Sequence, residues 1–321
     1  MRRLILIAFT HLLVTQLAGQ AESGFHPPLK IPMFLSGNFG EIRTDHLHSG
    51  IDIKTQGRIG HQVFSVDAGY VSRIKVQANG YGKSIYVTHP SGYTSVYGHL
   101  DRYRDDIAAY VKKIQYARKS HGIDLYLDAA TFPLQKGEFM AYSGNTGGSS
   151  GPHLHFEIRK AATQEPTNVL AYNFDIEDQI APRFHSLYIY GLDEKTHING
   201  SGKRFSSRVV KDNGVYTIPW GTQLQAGGRL GISVEVFDYL NGASNRCGVY
   251  SLEYYLDGKL RYSHVMDELS FKETRYINAH IDYKERIRNG TKAHRLHRQP
   301  NDQRRIYTHL EENGELFIDE D

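Results

Sequence analysis

The chain has 321 residues, a length that suggests about two domains and leaves ample room for a hydrophobic core. Charged residues make up 23% of the sequence and aromatic residues 12%, a composition that excludes a disordered chain. The formal net charge is only +3, and Arg2 and Arg3 contribute two of these charges, so charge gives no argument for a nucleic-acid partner. The single cysteine, Cys247, excludes an intrachain disulfide and is expected to be a small buried residue.

Residues 1–20 have the pattern of a secretory signal peptide. The basic start at Arg2 and Arg3 is followed by an interrupted apolar run over residues 4–17 and by small residues around the expected cleavage site. The run is too short and too interrupted for a membrane span, and no cysteine supports a lipid anchor. The alternative is a buried N-terminal strand or helix. We expect an exported chain without a stable membrane span after processing.

The stretch of residues 50–100 is typical of antiparallel strands joined by tight turns. It follows a proline-bearing, extended segment at residues 22–35. Residues 84–89 and 93–97 flank a turn that contains Pro90 and Gly92, which is the pattern of a β-hairpin. The sequence therefore predicts an antiparallel sheet here.

Residues 102–120 break this strand pattern. Apolar residues recur there at spacings of three and four, which predicts an amphipathic helix inserted into the sheet. Two roles are open for this helix: it forms a wall of a substrate groove, or it only packs against the sheet. Strand character returns at residues 138–143 and 153–159.

An acidic, turn-like segment at residues 173–182 marks the expected domain boundary. Strands are predicted beyond it at residues 186–190, 214–220 and 230–237. Asp257 and Gly258 between alternating apolar residues indicate a hairpin with a two-residue turn. This half of the chain is predicted to be a β-sandwich-like module.

A basic stretch occupies residues 286–305 near the end of the chain. Such a stretch is interpreted as a solvated loop, and the alternative is a surface for an anionic glycan. The chain ends shortly after a strand-like segment at residues 315–318, which leaves open whether the last domain is complete.

Four histidines and one aspartate form the most informative pattern in the chain. The motifs are His48-Ser-Gly-Ile-Asp52, Tyr97-Gly-His99, and His153-Leu-His155 directly after the glycine-rich residues 143–151. Each motif alone is weak or moderate. All three in this order, two of them beside glycine-rich turns, are not expected by chance.

Strand geometry makes this set suitable for a metal ion. Residues at i and i+2 face the same side of a strand, so the side chains of His153 and His155 point together. Gly50 allows the chain to bend so that His48 and Asp52 reach one ion. A catalytic zinc ion takes three nitrogen or oxygen ligands from the protein and leaves the fourth position for water. Five candidates for three positions leave two imidazoles for proton transfer and oxyanion stabilisation.

These motifs, over about residues 35–160, resemble the lysostaphin-type (LytM-like) zinc endopeptidases of bacterial cell walls. That family's ordered pattern is His-x-x-x-Asp, a histidine after Tyr-Gly or a similar pair, and His-x-His. The segments 143–147 and 152–157 also look like the family. The chain shows no departure from the pattern at the five key positions.

The resemblance implies that His48, Asp52 and His155 bind one zinc ion. It also implies that His99 and His153 are the unligated catalytic histidines, and which of them is the general base is left open. The implied fold is a small antiparallel β-sheet that lines a narrow groove. We therefore expect a mainly β chain with a signal peptide at residues 1–20, a zinc metallopeptidase domain with a helical insertion at residues 21–172, and a β-sandwich-like accessory domain at residues 173–321.

The function implied by the resemblance is hydrolysis of peptide cross-links in peptidoglycan by a secreted zinc endopeptidase. The expected location is the periplasm or cell envelope of a Gram-negative bacterium, with wall peptides as the partner and no nucleic acid. One alternative is a latent or non-catalytic regulator of cell-wall hydrolases, with a groove plugged by the N-terminal segment or by residues 102–120. The other is a zinc peptidase that acts on proteins. The bond cleaved and the oligomeric state are open.

Overall fold

The computed structural model describes residues 24–200, 202–219, 222 and 224–318. The predicted signal peptide lies outside these residues. Within them, no helix is both long and apolar enough to cross a membrane. The strand pairings of the described chain are antiparallel, so the prediction of a mainly β, antiparallel fold is confirmed.

The N-terminal part, residues 24–172, contains one α-helix, α1 (Asp105–Arg118), at the position predicted for the helical insertion. The strands of this part are β1 (Leu35–Gly37), β2 (Ile51–Lys54), β3 (Gln62–Phe64), β4 (Gly69–Val76), β5 (Lys83–Thr88), β6 (Tyr93–Gly98), β7 (Arg102–Tyr103), β8 (Ile123–Tyr126), β9 (Pro133–Leu134), β10 (Phe139–Tyr142), β11 (His153–Lys160) and β12 (Pro166–Thr167). A short 3-10 helix, Val169–Tyr172, follows.

Nine of these strands form one sheet in the order β1-β2-β11-β6-β5-β4-β8, with β12 paired to β11 and β9 paired to β4. The predicted hairpin is the β5–β6 pair. A second sheet has the order β3-β10-β7. Because side chains alternate along β11, Leu154, Phe156 and Ile158 are buried in the hydrophobic core. The histidines of the same strand face the opposite side.

The described residues of the C-terminal part, which runs from 183 to 318, include two short helices, α2 (Ile277–His280) and α3 (Tyr283–Asn289). Its strands are β13 (Arg183–Gly191), β14 (His197–Ile198), β15 (Arg204–Arg208), β16 (Val210–Asp212), β17 (Val215–Thr217), β18 (Ala226–Phe237), β19 (Ser251–Leu256), β20 (Lys259–Val265), β21 (Ala293–Arg295), β22 (Tyr307–Leu310) and β23 (Leu316–Ile318). Two further 3-10 helices cover Thr274–Tyr276 and Glu312–Gly314.

Two sheets of this part share one hydrophobic core. The larger has the order β14-β18-β13-β15, with β21 and β23 also paired to β18, and the smaller has the order β19-β20-β22. Leu187 and Val234 of the larger sheet pack in the same cluster as Tyr254 and Tyr262 of the smaller one. This is the predicted sandwich-like packing. The predicted hairpin joins β19 to β20, with both Asp257 and Gly258 at positive φ.

The acidic segment predicted to separate the domains contains no strand. The position of the boundary stays a prediction, because Leu240 and Cys247 of the C-terminal part pack in the core of the N-terminal part. Cys247 is buried, as expected for a small core residue.

The interpretation of residues 286–305 as a solvated loop is wrong. This stretch contains the end of α3 and the whole of β21. Arg304 is buried, and its guanidinium donates to the carboxylate of Asp302. The ion pair allows a charge to lie in the interior, which the run of basic residues does not reveal.

The glycine-rich turn after β10 packs directly on the backbone of another turn. Gly147 has a φ of +77°, and a Cβ there would lie 2.3 Å from the backbone nitrogen of Gly82. The amide of Gly148 donates to the carbonyl of Gly80. Only glycine permits this approach, which packs the turn against the one that joins β4 to β5.

We predict that Gly147→Ala lowers the free energy of unfolding more than Gly57→Ala. Gly57 has a similar φ of +72°, but a Cβ there would meet nothing within 4 Å. Both variants should lose about 1–2 kcal/mol from the left-handed backbone, and Gly147→Ala should lose about 1–3 kcal/mol more from the steric clash. Denaturant unfolding measures both. Equal losses would contradict the close packing described here.

Candidate metal centre

The strand register brings the predicted residues together. β11 lies between β2 and β6, and His155 is paired with Asp52 on one side and with Gly98 on the other. His99 follows Gly98 directly, and its φ of +57° turns the chain out of the strand. His153 lies two residues before His155 on the same face of β11.

Gly50 has two effects on the first motif. The chain bends at Gly50, just before β2, so that His48 approaches Asp52. A Cβ at Gly50 would also lie 2.3 Å from the carbonyl oxygen of Phe156. The glycine is therefore required by the close approach of β11 as well as by the bend, and the sequence revealed only the bend.

His48, Asp52 and His155 each direct one possible metal-ligand atom towards the same place. His48 Nε2 lies 3.1 Å from Asp52 Oδ1 and 3.1 Å from His155 Nδ1. His155 Nδ1 lies 3.0 Å from the same Asp52 oxygen. Ligands at about 2.0–2.1 Å from a tetrahedral zinc ion lie roughly 3.3 Å apart. The three side chains are buried and could hold one ion of this kind.

Hydrogen bonds on the outer nitrogens orient the two imidazoles. His48 Nδ1 lies 2.8 Å from the backbone oxygen of Asn38. His155 Nε2 lies 2.7 Å from Glu157 Oε1. A carbonyl and a carboxylate only accept, so these nitrogens carry the protons. The inner nitrogens of both rings therefore carry lone pairs in the neutral form, which is the state that a metal ion needs.

The charge of Asp52 is stabilised from several sides. Burial alone would raise its pKa, but the nearby His48, together with His153 and His155 when they are protonated, holds that pKa well below the usual range. Arg43 Nη2 donates to Asp52 Oδ2 at 2.7 Å. This contact leaves Oδ1 to face the two imidazoles.

The protonation of His155 also depends on carboxylates. Burial would lower its pKa, but hydrogen bonds to Asp52 and Glu157 raise it to about 9. A bound cation would take the place of the proton at Nδ1. The carboxylate of Glu157 stays ionised, because burial is outweighed by Arg159 and His155, which hold its pKa well below the usual range.

The remaining two histidines lie side by side next to this triad. The ring centroids of His99 and His153 are 4.6 Å apart, and His153 Nε2 lies 3.5 Å from Asp52 Oδ1. His99 Nδ1 donates to the backbone oxygen of Thr146 at 2.7 Å, and His153 Nδ1 donates to that of Gly151 at 2.8 Å. Burial, with His155 and His153 nearby, lowers the pKa of His99 to about 4. Because each Nδ1 carries its proton, the lone pair of each neutral ring is on Nε2.

Glu157 is a site residue to which the sequence analysis gave no role. It is fully buried and accepts hydrogen bonds from Ser49, Tyr81 and Arg159 in addition to His155. The ring of Tyr81 stacks on that of His155 at 4.7 Å between centroids. The i+2 spacing of Glu157 from His155 on a predicted strand was the available signal.

The C-terminal part holds the loop of residues 38–48 that supports the triad. The Asn38 side chain donates to the Gly248 carbonyl at 2.7 Å and accepts from the Gly248 amide at 2.8 Å. Lys292 forms an ion pair with Glu41 at 2.9 Å. Apolar residues of the loop share a core cluster with those of the C-terminal part: Phe39, Ile42 and Leu47 with Met266, Ile277, Ile281 and Ile306.

The two segments considered as plugs of the groove make other contacts. Phe25 of the N-terminal segment packs against Tyr93 and Tyr172, and Leu29 pairs with Val63. In α1, Ile107 and Val111 pack in the core of the N-terminal part. Within residues 24–35 and 102–120, none of the described contacts reaches the four histidines.

Residues 46–121 match the model of peptidase family M23. The chain is 31% identical over 143 residues to an uncharacterized metalloprotease of Haemophilus influenzae, covering 44% of this chain and 23% of that protein. It is 27% identical over 192 residues to the peptidoglycan DD-endopeptidase ShyB of Vibrio cholerae. This match covers 60% of this chain and 36% of that protein. It is 26% identical over 145 residues to the DD-carboxypeptidase/endopeptidase Mpg of Neisseria meningitidis. This match covers 44% of this chain and 27% of that protein.

Among solved structures, the chain is similar to a zinc-containing peptidase from Vibrio cholerae at 25% identity and a TM-score of 0.31, covering 44% of this chain and 37% of that one. It is also similar to the catalytic domain of the M23 protein EnpA from Enterococcus faecalis, at 20% identity and a TM-score of 0.35. This match covers 47% of this chain and 98% of that domain. The chain spans about a quarter to a third of the length of the curated relatives it matches.

The match includes the first motif and His99, and the histidine pair of β11 lies beyond it in the same sheet. This stretch of the chain is therefore similar to peptidase family M23. The resemblance to the lysostaphin-type, LytM-like peptidases is confirmed.

We predict that Glu157→Gln lowers the affinity for zinc by about 10–100-fold, because the orientation of His155 depends on this carboxylate. The matched control is Glu253→Gln, which removes a carboxylate from an exposed residue of β19. Titration with zinc against a competing chelator measures both affinities. An unchanged affinity in Glu157→Gln would show that His155 is oriented by other contacts.

We also predict that Asn38→Ala weakens both the fold and the metal site. The loss of two buried hydrogen bonds should cost about 2–3 kcal/mol of unfolding free energy. The freed loop should also hold His48 less firmly and so bind zinc less tightly. Asn168→Ala is the control, since Asn168 also bonds the C-terminal part, at the Met266 carbonyl, but does not support His48. Equal zinc affinity in the two variants would contradict this role of the loop.

Proposed function

We propose that this chain is a zinc-dependent endopeptidase that hydrolyses peptide cross-links of peptidoglycan. The observation that carries the proposal is a second pair of imidazoles, His99 and His153, beside a triad that fits one metal ion. A metal triad alone would suit a structural site. Two more imidazoles with free Nε2 atoms add the groups that peptide hydrolysis requires.

His48, Asp52 and His155 would hold the ion in this proposal. When bound, zinc polarises the scissile carbonyl and lowers the pKa of water to about 7. Arg43 keeps Asp52 oriented, and Glu157 keeps His155 oriented. These contacts fix the ligands before substrate arrives, which reduces the cost of reorganisation during the reaction.

His99 and His153 would move the protons. Each ring is held at Nδ1 by a backbone carbonyl, so proton exchange with the substrate site takes place at Nε2. One ring accepts the proton of the attacking water, and the other, in its protonated form, stabilises the oxyanion. His153 Nε2 lies 3.5 Å from Asp52 Oδ1, so this ring would be next to the proposed metal ion.

The substrate, location and domain organisation are proposed together. Two of the relatives are named for DD-endopeptidase or DD-carboxypeptidase activity, which supports cross-linked wall peptides as the substrate class. The signal-like segment at residues 1–20 supports export to the envelope. We propose residues 21–172 as the peptidase domain and residues 173–321 as an accessory domain that buttresses the loop of residues 38–48.

We predict that His155→Ala loses both the zinc of this site and the activity, while His99→Ala keeps the zinc and loses at least about 100-fold in turnover. The buried His89, which bonds Ala68 and Ser95 away from the site, supplies the control His89→Gln with zinc and activity retained. Zinc content and release of soluble muropeptides from purified peptidoglycan are measured side by side. A protein substrate is digested in parallel.

The outcomes separate the possible functions. Loss of zinc in His99→Ala would contradict the assignment of ligands. Fragments from the protein substrate but not from peptidoglycan would favour a protein-directed peptidase. Zinc without fragments from either substrate would favour a latent or non-catalytic regulator.

A further inference from the structure

A second cluster of histidines lies in the C-terminal part, in the interior between its two sheets. His264 belongs to β20 of the smaller sheet, His294 to β21 of the larger sheet, and His280 ends α2. Each offers a ring nitrogen, and these three nitrogens lie within 4.8 Å of one another. The three residues are 0–2% exposed, so no substrate reaches them.

Hydrogen bonds account for only part of this cluster. His280 Nε2 lies 2.9 Å from His294 Nδ1, and His264 Nδ1 lies 2.8 Å from the hydroxyl of Tyr262. His264 Nε2 is buried and has no hydrogen-bond partner in the described chain. An unpartnered buried polar atom is costly, and it indicates that a further group belongs here.

The outer contacts of His280 resemble those of a metal ligand. Tyr307 donates its hydroxyl proton to Asp302. The same hydroxyl oxygen accepts a hydrogen bond from Arg304 Nη2 at 3.0 Å and lies 3.4 Å from His280 Nδ1, whose proton it can also accept. His280 Nε2 then carries a lone pair and faces the other two rings. A metal-binding imidazole usually donates its outer N–H to an oxygen atom of its surroundings.

Protonation does not explain the cluster. Burial, followed by neighbouring positive charges that include Arg304, lowers the pKa of all three histidines. A lowered pKa favours the neutral form of an imidazole, which is the form that binds metal. The charge of Arg304 is balanced by its ion pair with Asp302.

We propose that His264, His280 and His294 bind a second metal ion, a structural zinc that ties the two sheets of the C-terminal part together. Three imidazoles suit zinc, and among common cations they do not suit calcium or magnesium. The ion would join β20, α2 and β21, and it would give His264 Nε2 a partner. This site is independent of the proposed catalytic function. The chain would then hold two zinc ions rather than the one expected from its sequence.

The test counts zinc per chain in the full-length protein and its variants after removal of loosely bound metal. We expect about two zinc ions in the wild type, one in His155→Ala, one in His264→Gln and His294→Gln, and none when His155→Ala is combined with either of the latter. The control is His297→Gln, which alters a similarly buried histidine of the C-terminal part outside the cluster and should keep two.

Two further measurements use the His155→Ala variant, in which the three histidines of the cluster are not mutated. X-ray absorption at the zinc edge should show imidazole nitrogens as the protein ligands. Chelation of the remaining zinc should lower the Tm by about 5–10 °C. These results do not depend on whether the cluster variants fold.

The proposal is overturned if His155→Ala binds no zinc, or if its remaining zinc persists when His264 and His294 are replaced. Failure of the proposed catalytic function would give a different set of results. In that case the zinc at His155 is absent, or the chain cleaves no substrate, while the cluster still holds its ion.

Discussion

Hydrogen bonds on the outer ring nitrogens determine how four imidazoles face the candidate metal centre. His48, His99 and His153 each donate Nδ1–H to a backbone carbonyl, and His155 donates Nε2–H to Glu157. These acceptors cannot donate, so the inner nitrogens carry lone pairs when the rings are neutral. The same histidines in the other tautomer would point protons at the ion. The chemistry of the site therefore depends on where these four acceptors are held.

The four acceptors are held in place by three different parts of the fold: a strand, a turn and a loop. Glu157 lies on the same strand as its histidine, so the pleat of β11 positions it directly. Thr146 and Gly151 belong to the glycine-rich turn, which depends on the close approach of Gly147 to Gly82. The carbonyl of Asn38 belongs to a loop that the C-terminal part fixes. The second half of the chain thus supports the site through its contacts with this loop.

Local spacing allowed much of the fold and the triad to be predicted. Alternation on β11 placed His153 and His155 on one face, and turn residues placed the two hairpins. Long-range contacts left no such signal: the bonds between Asn38 and Gly248 join residues 210 positions apart. The same holds for the cluster of His264, His280 and His294, whose spacing follows no metal motif. Arg304 was misjudged because its buried partner, Asp302, does not stand out in a basic stretch.

The most direct measurement is anomalous diffraction at the zinc edge from crystals of the purified chain. Orientation of the rings by their outer hydrogen bonds predicts a peak about 2.0–2.1 Å from His48 Nε2, Asp52 Oδ1 and His155 Nδ1. The Nε2 atom of His155 should remain bonded to Glu157. A peak bonded instead to His155 Nε2, or to His99 in place of His48, would show that the outer hydrogen bonds do not determine which atoms bind the metal.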